Sequence, residues 1–145
     1  MKYIRILLLL LLLVGCQCTM SHSSHSSHSS AGEIESNLTQ MSANERYQGT
    51  LSSKLEPLQI NQIHAWELEI KNIEGEPLVG AIVTLSGGMP AHQHGFPTVP
   101  TVAEVGDGRY LIEGMKFQMS GHWQMTFDIE VNGQHDELVF NFMVP

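Results

Sequence analysis

The sequence predicts an all-β protein, an immunoglobulin- or cupredoxin-like β-sandwich of about seven strands, preceded by a signal peptide and a disordered tether. Three observations carry that expectation. Beyond Tyr47, short runs alternate apolar and polar residues with a period of two, as a strand with one wet face requires. Gly, Pro and Asn-Gly signals separate the runs at the spacing of hairpins, and no stretch shows helical periodicity.

The first residues belong to no fold. Lys2 and Arg5 make a positive start, and residues 6–14 form an apolar stretch too short to span a bilayer. The stretch ends in Leu13-Val14-Gly15-Cys16, which resembles a bacterial lipobox. Such a signal implies cleavage of residues 1–15 and lipidation of Cys16, which would anchor the chain to the outer side of a bacterial membrane. Gln17 after that cysteine is compatible with outer-membrane sorting. Loss of Lys2 and Arg5 takes the net charge from −8 to −10, so nucleic acid is excluded as a partner.

Residues 16–46 read as a tether, rich in serine and poor in large apolar side chains. At its centre His22, His25 and His28 recur every third residue, a spacing that aligns them along one edge of a polyproline II segment. This tail is either a weak metal collector or a solvated spacer. A coil of roughly 30 residues spans about 30 Å, enough to lift a domain off a membrane. With Cys16 lipidated and Cys18 in the tether, the folded part has no disulfide framework.

Residues 47–145 are long enough for one domain with one core. Trp66, Leu68 and Ile70 alternate with Glu67, Glu69 and Lys71 in a half-buried strand. Residues 79–86 are continuously apolar and predict a central strand, ended by Gly87 and Gly88. Residues 101–105 and 109–117 flank Gly106-Asp107-Gly108 as a hairpin. Trp123, Met125, Phe127, Ile129 and Val131 line one face of the next strand, Asn132-Gly133 turns it, and Leu138, Phe140, Phe142 and Val144 close the sheet.

Chemistry concentrates in Met89-Pro90-Ala91-His92-Gln93-His94-Gly95, at the end of an expected strand. Thioether sulfur prefers Cu(I), imidazole suits both copper states, and neither ligand needs a negative charge. His92 and His94 would share a face if the chain there is extended, and Pro90 biases Met89 towards that conformation. Met119 in Phe117-Gln118-Met119-Ser120-Gly121-His122-Trp123 is the best further ligand. His122, three residues on, either closes the site or faces water. Met115 and Met125 read as core. Imidazole must be neutral to bind, and its reference pKa is about 6.5, so affinity should decline below roughly pH 6.

These segments resemble the YtkA-like domain family, whose pattern is roughly Met-Pro-x-His-x-His-Gly, then Gly-x-Tyr, then Phe-x-Met-x-Gly-x-Trp. Met89 to Gly95, Gly108-Arg109-Tyr110 and Phe117 to Trp123 match it in order. The resemblance implies a small extracytoplasmic β-sandwich, often membrane-anchored, that handles copper or assists copper-enzyme assembly. It supports Met89, His92, His94 and Met119 as ligands and gives Gly95, Gly121 and Trp123 structural roles. Ser120 stands where proline is common, and His122 fills a variable position.

Three function classes follow. The first is a membrane-anchored Cu(I) carrier or chaperone that exchanges metal with a copper-donating or copper-receiving protein. An enzyme is disfavoured, because the chain shows no nucleophile-base pair, no His-Glu zinc motif and no cysteine for a blue-copper centre. A metal-free interaction module on a lipid anchor is the third.

Overall fold

The computed structural model describes residues 37–145. The expected signal peptide, Cys16 and the His22, His25 and His28 repeat lie outside the described residues. Nine strands form among the described residues: β1 (Asn37–Met41), β2 (Tyr47–Ser53), β3 (His64–Asn72), β4 (Ile82–Met89), β5 (His94–Gly95), β6 (Thr101–Gly106), β7 (Arg109–Met115), β8 (Gly121–Val131) and β9 (Gln134–Val144). They build two antiparallel sheets, ordered β1-β2-β3-β7-β6 and β5-β4-β8-β9. Apart from the 3-10 turn Pro90–His92, no helix occurs among the described residues.

The core lies between the sheets and follows the alternation in the sequence. Trp66, Leu68 and Ile70 of β3, and Tyr110 and Ile112 of β7, face Trp123, Met125, Phe127 and Ile129 of β8. Leu138, Phe140, Phe142 and Val144 of β9 complete the second layer. Met115 and Met125 are fully buried, as core residues. Asn132 (φ 51°) and Gly133 (φ 73°) both take the left-handed conformation that a tight β8–β9 turn needs.

Tyr110 and Gly108 fasten the β6–β7 hairpin to β3 and to the chain that follows it. The Tyr110 hydroxyl donates to the Leu78 carbonyl (2.9 Å), fixing the chain where it leaves the first sheet for the second. Gly108 has φ 68°, and a Cβ there would stand 2.6 Å from the Ile70 carbonyl oxygen. The glycine therefore lets the β6–β7 turn press against β3, where Ile70 N–H donates to Gly108 O (2.8 Å).

Two expectations require correction. The folded part begins ahead of Tyr47, because β1 lies in the stretch read as tether and pairs with β2 from Asn37↔Ser52 to Met41↔Gln48. Its signal is weak, for Asn37-Leu38-Thr39-Gln40-Met41 is an edge strand that packs only Leu38 against the core. A distant group secures the turn that follows: Asp136 accepts from the Ser42 hydroxyl (2.9 Å), the Asn44 N–H (3.0 Å) and Arg46 Nε (3.0 Å).

The second correction concerns residues 79–86. The strand runs over Ile82–Met89 and alternates in burial, and its partners are β8 and the two-residue β5. Residues 77–78 still belong to the first sheet, where Pro77 bridges Lys71 and Leu78 N–H donates to Ile70 O (2.9 Å). Gly87 and Gly88 carry the strand instead of ending it. Their φ values are 148° and 154°, and a Cβ would stand 2.2 Å from Gln124 O and 2.1 Å from His94 O respectively. Only glycine lets β8 and β5 approach this closely.

Candidate functional site

Because β4 reaches Met89 and β5 starts at His94, the two residues are direct cross-strand partners. Directly opposed residues of an antiparallel pair project from the same face with Cβ atoms about 5 Å apart. The thioether and the imidazole are therefore neighbours on the inner face. Pro90 acts as expected on Met89, which is extended (φ −106°, ψ 102°).

His92 reaches the same place by a different route from the one expected. It ends the 3-10 turn Pro90–His92, and Gln93 then adopts the left-handed conformation (φ 53°). The His92 and His94 rings have centroids 5.9 Å apart and planes tilted by 31°. A tight reversal, rather than the period of a strand, brings them together. His92 is exposed and His94 half-buried.

The Phe117–Trp123 stretch packs against this corner. Gln118 Nε2 lies 3.0 Å from His94 Nδ1, and the Gly95 carbonyl oxygen is 3.1 Å from the same nitrogen. Trp123 Nε1 donates to the Met119 carbonyl (3.0 Å), and its indole stands edge-on to His94 at 5.8 Å. Phe96 stacks on the indole with planes 5° apart, and Phe117 meets it edge-on at 4.8 Å. A Cβ on Gly121 would come within 2.9 Å of Met89 Cε, so the glycine leaves room for the thioether. Gly121 and Trp123 thus have the structural roles expected, and Gly95 sits opposite Gly88 in the β4–β5 pair.

The expected ligands differ in environment. Met89 is 2% exposed and forms part of the core, whereas Met119 is 40% exposed. A shallow groove open to solvent is lined by Met89, Pro90, Gln93, His94 and Gln124, without Met119 or His92. His94 Nε2 is buried without a hydrogen-bond partner. His122 goes elsewhere: it is exposed, on the opposite face of β8 from buried Trp123, and directly across from Met143 of β9. The structure therefore does not join it to Met89 and His94. Among the described residues no three His, Cys, Asp or Glu side chains converge, so any metal held here would rest on the two imidazoles and on sulfur.

Sequence reasoning missed Gln118 and Phe96. Neither carries a local signal, since each acquires its neighbour only when distant strands pair.

A model of the YtkA-like family matches residues 41–128, a span that contains every element of this corner. The chain belongs to the YtkA-like family. The crystal structure of a DUF4426 family protein from Pseudomonas aeruginosa is similar in fold, with a TM-score of 0.53 and 12% sequence identity. The match covers 77% of this chain and 97% of that one. No curated protein matches the sequence. Within this YtkA-like domain, the Met-Pro-x-His-x-His-Gly, Gly-x-Tyr and Phe-x-Met-x-Gly-x-Trp segments all have definite structural work: the first and third meet at one end of the sandwich, and the second fastens the β6–β7 hairpin to β3 and the chain after it.

Proposed function

We propose that this protein is a Cu(I) carrier or chaperone, anchored by lipid on Cys16 to the extracytoplasmic side of a bacterial membrane. It serves copper homeostasis or copper-enzyme assembly by exchanging the ion with a partner protein. The observation that carries the reading is the pairing of Met89 with His94, whose buried Nε2 has no protein partner. An unmatched buried nitrogen costs free energy unless something fills its lone pair, and here a methionine is the cross-strand partner of the same histidine and a second imidazole has its ring centroid 5.9 Å away. Neutral nitrogen and sulfur donors suit Cu(I), and the aromatic wall of Phe96, Phe117 and Trp123 limits water on one side. Exposed Met119 and His92 are the ligands a partner would displace first. The folded domain has no cysteine thiolate, which favours a carrier over a redox enzyme.

One observation favours a second reading, a metal-free interaction module. Met89 is packed in the core, which would suffice to explain a methionine at that position. Titration of the chain with Cu(I) against a competing chelator separates the two, with His22, His25 and His28 replaced by Ala so that the tail does not contribute. Affinity tighter than micromolar supports the carrier. Weaker binding supports the module.

A further inference from the structure

The two neighbours of His94 Nδ1 make opposite demands on it. The Gly95 carbonyl oxygen, 3.1 Å away, can only accept, so it requires a proton on Nδ1. Gln118 Nε2, 3.0 Å away, can only donate, so it requires a lone pair there. A backbone oxygen cannot change its identity, but the two ends of a glutamine amide are interchangeable in placement. Turning the Gln118 amide over brings Oε1 to Nδ1 and makes both contacts acceptors for one N–H. It also exchanges which Gln118 atom faces the unpartnered position, so His94 decides the assignment. With Nδ1 protonated, His94 Nε2 bears a bare lone pair, buried and unmatched.

We infer that Gln118 is a positioning residue: with the Gly95 carbonyl it holds neutral His94 in the Nδ1–H tautomer and presents Nε2 as the metal-binding nitrogen. A ligating histidine whose other nitrogen donates to an oxygen is fixed in tautomer and in ring orientation, and is the more basic for it. Gln118 is suited to this because it follows Phe117, which is buried against Trp123, and so it moves little relative to the ring it holds. The role of Nε2 as a ligand rests on the copper reading, but the tautomer does not.

The test uses the full chain and two variants. In Gln118→Leu the acceptor is gone at similar volume; in Gln118→Glu an acceptor is kept and the donor removed. Nitrogen-15 NMR of the metal-free protein above pH 8, with His94 assigned through His94→Gln, should show Nδ1–H in the wild type and in Gln118→Glu. Gln118→Leu should show a mixed population. Cu(I) affinity, read by chelator competition, should fall about tenfold in Gln118→Leu and be retained in Gln118→Glu. An Nε2–H tautomer in the wild type overturns the inference. So does a Gln118→Leu protein with unchanged tautomer, its fold checked by far-UV circular dichroism. Failure of the wild type to bind Cu(I) would instead remove the carrier reading, and the NMR result would still decide the tautomer.

Discussion

At Met89, His92 and His94 the side-chain chemistry is independent of the fold's stability to different degrees, and that separates their substitutions. His92 is exposed and His94 half-buried, so replacing both by Ala leaves the core intact. The double variant should lose Cu(I) affinity by at least a hundredfold while its far-UV spectrum is unchanged. Persistent tight binding would assign the metal to another part of the chain. Met89 belongs to the core, so Met89→Ala would damage packing as well as binding and is a poor probe of either. Gly121→Ala is more informative. At φ 126°, with a Cβ 2.9 Å from Met89 Cε, alanine should cost about 1–3 kcal/mol, read as a lower urea midpoint, and shift the thioether.

The site depends on how a few short elements meet. The β4–β5 pair is two residues long on the β5 side, and it exists because Gly87 and Gly88 permit backbone approach from both neighbours. Gly88→Ala would put a Cβ 2.1 Å from the His94 carbonyl oxygen, and β5 must then move away. The expected result is loss of the His94 register and of Cu(I) affinity, with the β8–β9 hairpin preserved; hydrogen exchange resolves the two. At the opposite edge, the β1–β2 turn hangs on Asp136, whose side chain is fully shielded while Arg46 is partly exposed. Asp136→Ala should cost about 3 kcal/mol, read from urea unfolding, because several donors lose their acceptor together.

The whole molecule should lose stability on the acid side in two stages. Burial holds the His64 pKa below its ordinary value, against the opposing effect of its bond to the Gln62 carbonyl. A group whose folded pKa is depressed supports the fold fully above its unfolded pKa, about 6.5 for histidine, and that support drains away as pH falls. The fall in urea midpoint between pH 7.5 and 5.5 should therefore shrink in His64→Phe. Burial alone would raise the Asp136 pKa, but bonds from the Asn44 and Glu137 N–H groups, Ser42 and Arg46 outweigh it and hold the carboxyl below its ordinary value. Its contribution is present above the usual aspartate range near 4 and is lost as pH falls through the lower folded value. The second stage should be absent from Asp136→Ala.

Period-two alternation and turn chemistry act over a few residues, so the sequence alone determined the all-β class, the β6–β7 and β8–β9 hairpins and the inner face of β3, β8 and β9. It also singled out the Met89, His92, His94 and Met119 segments, because their residue types are unusual wherever they sit. Only the tertiary structure decided that β1 belongs to the domain, since an edge strand with one inward leucine is secured by Asp136 from the far end of the chain. It likewise decided that His122 turns outward and that His92 meets His94 through a 3-10 turn. The same holds for Gln118, whose place beside the imidazole comes from pairing between strands remote in sequence, which no local pattern encodes.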